Sequence, residues 1–171
     1  VPTEAAVFTE PLAAACEILD QVEIPPGEEV AVHGPGKLGR LAARVLEAHG
    51  CQVRLYGRHE QAPRAAFRWV VDATGSAEGL HQCIEMTQPR GTLILKSTVH
   101  RAVRLDTAPV VVNEITLVGS RCGRFGPALE FLRKGKVRVD DLISARYALE
   151  DAPRAFRHAA RRGALKVLLI P

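Results

Sequence analysis

Three glycines spaced G-x-G-x-x-G, at Gly34, Gly36 and Gly39, are the residues whose spacing most plainly implies chemistry. They lie in His33-Gly34-Pro35-Gly36-Lys37-Leu38-Gly39, after a short apolar run and at the head of an amphipathic one. In that setting Gly34 permits a tight turn and Gly36 removes a side chain where a diphosphate would approach the backbone. Gly39 lets the following helix pack closely on the strand. The free N–H groups at the helix start, at Lys37 and Leu38, then face the phosphates with the positive end of the helix dipole behind them. A dinucleotide site would place Asp or Glu at the end of the second strand, to take the adenosine ribose hydroxyls. That strand ends here in Tyr56-Gly57-Arg58-His59. Gly57 leaves room for a 2′-phosphate and Arg58, with His59 beside it, can pair with one, so the residues predict NADP(H) in preference to NAD(H).

Positioning these groups requires alternating strands and helices, and the pattern supplies them. Residues 29–33 (EVAVH), 52–56 (QVRLY), 68–73 (RWVVDA), 92–96 (TLILK), 115–119 (ITLVG) and 166–170 (KVLLI) read as strands. Helical periodicity covers 37–49, with Leu38, Leu41, Ala42, Val45 and Leu46 on one face and Gly50 as its stop. Further helices are expected from about 77 to 87, from Pro127 to about Gly135, and from about 150 to 162. The last carries a buried stripe of Ala152, Ala155, Phe156 and Ala159. Thr3 could cap a short turn, and Thr9-Glu10-Pro11 could open a helix with Leu12, Cys16, Leu19 and Val22 inward. Short connections between alternating elements imply an α/β fold, a Rossmann-type doubly wound parallel sheet with helices on both faces.

The 171 residues suffice for one domain with a sizeable core. Net charge is +4, but the basic residues are scattered and aromatics are only 5%, which argues against a nucleic-acid reader and suits a small phosphate-bearing ligand. Cys16, Cys51, Cys83 and Cys122 form no CxxC pair and are read as reduced thiols of a cytoplasmic protein. No apolar run approaches the roughly 20 residues of a membrane span. The start at Val1, without a leader pattern, reads as a piece of a longer protein.

Six segments in order give the chain a family resemblance: FTEPLAAACEIL, PPGEEVAVHGPGKLG, VVDATGSAEGL, QPRGTLIL, VVNEITLVGSRCG and ALEDAPRAFRHAARRGALKVLL. Over nearly its whole length the chain resembles the cofactor-binding domain of the medium-chain, zinc-dependent alcohol dehydrogenases, in the branch with threonine, sorbitol and glucose dehydrogenases. The resemblance implies that Thr74 and Gly75 lie beside the cofactor and that Ser97 lies near its nicotinamide half. Gly119, Ser120 and Arg121, with Cys122, would border the nicotinamide, and Lys166 matches the position of a basic residue that touches the pyrophosphate in some members. Glu10 corresponds to a residue at the catalytic zinc, as ligand or near neighbour; its other reading is a carboxylate at a helix N-terminus. One carboxylate cannot hold zinc, which takes about four ligands. Residues 1–27 are read as a helical lead-in from an absent catalytic domain and 28–171 as the dinucleotide-binding domain.

The activity so implied is hydride transfer between a nicotinamide cofactor, NADP or NAD, and an alcohol, aldehyde or ketone, with zinc in the full-length protein. A homodimer through the edge strand near Ile115–Val118 is also implied. The chain departs from the family pattern twice. The segments that would hold catalytic and structural zinc are absent, and the stretch from Arg58 to the VVDA strand is too short for the helix–strand unit usual there. Either that unit is lost or residues are missing from the sequence. Rival readings are a non-catalytic dinucleotide-sensing module, a zinc-free quinone reductase, and an adenosylmethionine-dependent methyltransferase. Gly57 counts against the last, which would want an acid at that position.

Overall fold

The computed structural model describes residues 1–99 and 102–171. Its centre is a parallel sheet of β1 (Glu29–His33), β2 (Gln52–Tyr56), β3 (Phe67–Asp72), β4 (Thr87–Leu95) and β5 (Thr116–Gly119). The strand order is β2-β1-β3-β4-β5. The chain leaves β1 for β2 on one side and later returns to place β3 on the other. The order therefore reverses at β1, where open α/β sheets leave a crevice beyond the strand ends.

Helices cover both faces. On one lie α2 (Thr9–Gln21), α3 (Lys37–His49) and α6 (Phe125–Arg133); the other carries α4 (Ala77–Met86) and α5 (Ala108–Val112). The strands feed two cores by simple alternation. Val30 and Val32 join Leu12, Leu41 and Leu46 on the first face, while Ala31, Val70 and Leu93 join Cys83 and Ile84 on the second. A strand buried on both faces must be apolar at successive positions, which is why these runs lack the polar alternation of a half-exposed sheet. The doubly wound expectation holds. So does the shortened interval: residues 57–66 pass from β2 to β3 with no intervening helix or strand, leaving β2 as an edge.

The N-terminal segment begins with α1 (Thr3–Ala6), a single turn with Pro2 rather than Thr3 at its cap position. Opening at Thr9 as expected, α2 docks against α3 and α6 with Phe8, Leu12 and Ile18 fully buried. These residues complete the first core.

Three expectations need correction. Residues 143–148, where the sequence pattern predicts no strand, form β6 (Ile143–Ala148). With it β7 (Lys166–Ile170) forms a separate two-stranded parallel sheet and does not extend the main one. The last helix, α7 (Ala152–Ala159), is shorter than its pattern and buries Ala155, whereas Phe156 is 71% exposed. The physical reason is that α7 packs on the narrow β6–β7 ribbon, which covers Ala155 and part of Ala152 but leaves Phe156 and Ala159 exposed. Finally, β4 begins at Thr87, which pairs with Phe67; the strand is then irregular from Gln88 to Gly91, where Arg90 takes φ +60°, and regains its register with Thr92 opposite Trp69. Among the described residues no helix is long and apolar enough to cross a membrane.

Replacing Leu12 with Ala should cost about 2–5 kcal/mol, the range for a fully buried leucine, in reversible urea denaturation. A loss under about 1 kcal/mol would show that α2 is not part of the core.

Candidate functional site

The crevice opens where β1 turns into α3. Gly34 takes φ +106°, and a Cβ built on it would come within 2.6 Å of the Ala73 carbonyl oxygen. Its N–H donates to the Tyr56 carbonyl at 3.0 Å. The turn is thus threaded between the ends of β2 and β3, and only a residue without a side chain passes. A Cβ on Gly39 would collide with the Gly34 carbonyl oxygen, so the close helix–strand approach depends on this glycine. Gly36 is different, since among the described residues nothing lies within 4 Å of a Cβ built there. It caps α3 in an extended conformation, with no side-chain cap and no acidic residue in the first turn. The helix N-terminus is therefore uncapped and faces open space, as an anion cradle requires. Arg40 braces the turn from behind through a 2.9 Å bond from Nε to the Pro35 carbonyl.

Positive charge gathers at this end. The Lys166 ammonium, at the start of β7, lies 5.6 Å from the centre of the Phe8 ring. Burial holds its pKa below the ordinary lysine value, the charge of Lys37 lowers it further, and Glu10 opposes both. So α3, β7 and α2 bring Lys37, Lys166 and Glu10 within electrostatic reach of one another. Among the described residues no group of three or more His, Cys, Asp or Glu is placed to hold a metal. Exposed Glu10 therefore has no companion ligands here.

Two cavities flank the turn. One of about 190 Å³ is lined by Gly34, Gly36, Arg58 and Thr74 among others. A second of about 420 Å³ is lined by Arg58, His59, Glu60, Arg64 and Gln82. Arg58 borders both, as does His33, whose buried ring offers Nε2 to Gln82 Oε1 at 2.7 Å. Its Nδ1 is buried and has no partner among the described residues. Gly57 lies under Glu60, whose Oε2 accepts its N–H at 2.6 Å.

Polar side chains tie the strand ends along the crevice. Buried Asp72 accepts from the backbone N–H of Thr74 at 2.9 Å and from its hydroxyl at 2.7 Å. The Ser97 hydroxyl accepts the Gly75 N–H at 2.8 Å, joining the turn after β3 to the end of β4. Beyond β5, Lys96 Nζ donates to Ser120 Oγ at 3.0 Å and to the Arg121 carbonyl at 2.9 Å. Burial pushes the Lys96 pKa down, against the opposing pull of the nearby Glu17 carboxylate. Gly119 is exposed and accepts from Gln21 through its carbonyl.

Some of the residues singled out from the sequence come together and others do not: Glu10, on α2, and Lys166, at the start of β7, line neither cavity. Gly34, Gly36, Arg58 and Thr74 share a cavity, Gly75 touches Ser97, and Gly119, Ser120 and Arg121 stand at the end of β5. His33, Glu60, Asp72, Gln82 and Lys96 were not singled out. His33 and Lys96 carried a legible signal, a polar residue ending an otherwise apolar strand; Glu60 and Gln82 carried none.

No family model matches the chain. It is 26% identical over 206 residues to sorbitol dehydrogenase of Halalkalibacterium halodurans, covering all of this chain and 60% of that protein. It is also 26% identical over 204 residues to D-arabinitol dehydrogenase 1 of Uromyces fabae, covering 98% and 58%. A Sinorhizobium meliloti protein described as a zinc-binding dehydrogenase and solved bound to NADP superposes with a TM-score of 0.88 at 22% identity, covering all of this chain and 61% of the other. The relatives are polyol dehydrogenases, and the chain is similar to a Rossmann-fold portion of them. It spans about 60% of the length of the relatives it matches.

Two measurements check this geometry. Gly39→Ala should lose about 1–3 kcal/mol of stability by overpacking, while Gly36→Ala should stay within about 0.5 kcal/mol of wild type; equal losses would contradict the assigned contacts. The burial cost of the Lys96 charge is present below its lowered pKa and disappears as pH rises toward the ordinary lysine value of 10.5. Wild type should therefore gain stability relative to Lys96→Met as pH climbs from neutrality into that range, and a flat difference would count against a buried ammonium.

Proposed function

We propose that this chain is the nicotinamide-dinucleotide-binding part of an oxidoreductase that passes hydride between NADP(H) or NAD(H) and an alcohol or carbonyl compound. Residues 1–27 lead in from a catalytic domain and 28–171 form the cofactor domain. The observation that carries this reading is the uncapped N-terminus of α3 beneath Gly36, where a missing side chain leaves open space beside Lys37 and Lys166. A pyrophosphate there would meet free N–H groups, a positive helix end and two ammonium groups. The adenosine half would run toward Arg58 and His59, and Arg58 supports NADP(H) as the favoured form because it borders both cavities. The nicotinamide half would run past Leu38, Thr74, Gly75 and Ser97 toward Gly119, Ser120 and Arg121.

Likeness to polyol dehydrogenases supports a small hydroxyl- or carbonyl-bearing substrate. Zinc, when bound, polarises such an oxygen as a Lewis acid. This chain offers it Glu10 at most, so the other ligands are assigned to the portion of the relatives that the chain does not span. Its own residues bind and orient the cofactor. The free cysteines support placing it in the cytoplasm. A homodimer through β5 is supported by that strand's edge position and by exposed Leu117, Val111 and Val112.

Titration with NADPH and NADH should show saturable binding of both, tighter for NADPH, with no alcohol oxidation by the 171-residue chain. Gly36→Val should keep the melting temperature and lose at least about tenfold in affinity, roughly the cost of one blocked contact of 1.4 kcal/mol. Binding unaffected by that valine would refute the proposed pyrophosphate position. Sedimentation at micromolar concentration should give a dimer, and a monomer would remove the β5 interface.

A further inference from the structure

We infer that Glu60 sets the discrimination between NADPH and NADH, acting from three positions beyond the strand end where a ribose-binding acid is expected. The inference rests on the dinucleotide reading above. At the end of β2 stands Gly57, which has no side chain to offer. A Cβ built on it would meet the Glu60 carboxyl carbon and Oε2 at 3.7 Å and Pro35 Cγ at 3.8 Å. The chain folds back at once, with the Glu60 N–H donating to the Gly57 carbonyl at 3.2 Å. That turn lays the Glu60 carboxylate over the Gly57 N–H at 2.6 Å, beside Pro35 of the glycine turn. A carboxylate therefore stands at the end of β2, borrowed from the next turn.

Its chemistry is opposite for the two cofactors. Ribose hydroxyls are donors, and a carboxylate accepts from them. A 2′-phosphate brings negative charge and only acceptor oxygens at neutral pH, so it competes with Glu60 for the Gly57 N–H and is repelled by it. Arg58 works the other way from the adjacent position, since its guanidinium pairs with phosphate. The preference of the site is the difference between these neighbours: Arg58 draws the 2′-phosphate in and Glu60 limits how well it is held.

A simple turn-capping role for Glu60 makes a different prediction, which the conservative variant separates. Glu60→Gln keeps an oxygen that can accept the Gly57 N–H and removes only the charge. The experiment measures dissociation constants of NADPH and NADH for wild type and Glu60→Gln, by nicotinamide fluorescence at fixed low salt. Glu60→Ala and Arg58→Ala run alongside. Glu60→Gln should raise the affinity ratio of NADPH over NADH about tenfold, the effect of removing one unfavourable surface charge pair. Glu60→Ala should shift it in the same direction, and Arg58→Ala should lower it. An unchanged ratio in Glu60→Gln would overturn the inference while leaving the dinucleotide site standing. Wild type binding neither cofactor would overturn both.

Discussion

Everything in this site depends on one close approach. The backbone leaving β1 has to pass between the ends of β2 and β3 and then admit the first turn of α3 against itself. Gly34 lies against the Ala73 carbonyl and Gly39 against Gly34, with no side chain tolerated at either contact. Because the turn is that tight, α3 begins directly above the strand ends, and its unpaired N–H groups point into the crevice. A looser connection would still fold as a strand and a helix, but the positive helix end would no longer meet the point where the sheet order reverses.

The polar residues along the crevice serve the same geometry. Asp72, Thr74, Ser97, Lys96 and Ser120 are bonded to one another or to backbone at successive strand ends, so the loops there are held by defined partners. Such bonds are individually modest, near 1 kcal/mol each, but they fix where backbone groups face. Lys96 shows the cost: its charge is buried to hold the residues after β5, and its pKa falls as a result. The β6–β7 ribbon and α7, by contrast, leave Phe156 and Leu149 exposed, so this part of the molecule buries little of its own apolar surface.

What could be read from the sequence follows from range. The glycine turn, the strands of the main sheet with every long helix around them, though not the short α5, and the two-sided burial of the sheet come from local pattern. Those features were legible down to Gly50, which ends α3 in the left-handed conformation. The β6 strand was not legible, because residues 143–148 alternate only between half-buried and exposed and gain their pairing from β7, some twenty residues later. Phe156 misled for the complementary reason: its helical spacing is that of a buried stripe, but burial needs a partner surface that spacing alone does not reveal. Glu60 and Gln82 depend on where a turn and a helix direct side chains toward Gly57 and His33, and nothing in their own neighbourhood signals it.

The proposed function places a dinucleotide pyrophosphate on the N-terminus of α3. Backbone amide shifts recorded by nuclear magnetic resonance during titration with NADPH test it most directly. The largest changes should fall on the amides of Gly36, Lys37, Leu38 and Gly39, with a second set at Gly75 and Ser97. Saturable binding that leaves the amides from Gly36 to Gly39 unmoved would contradict it.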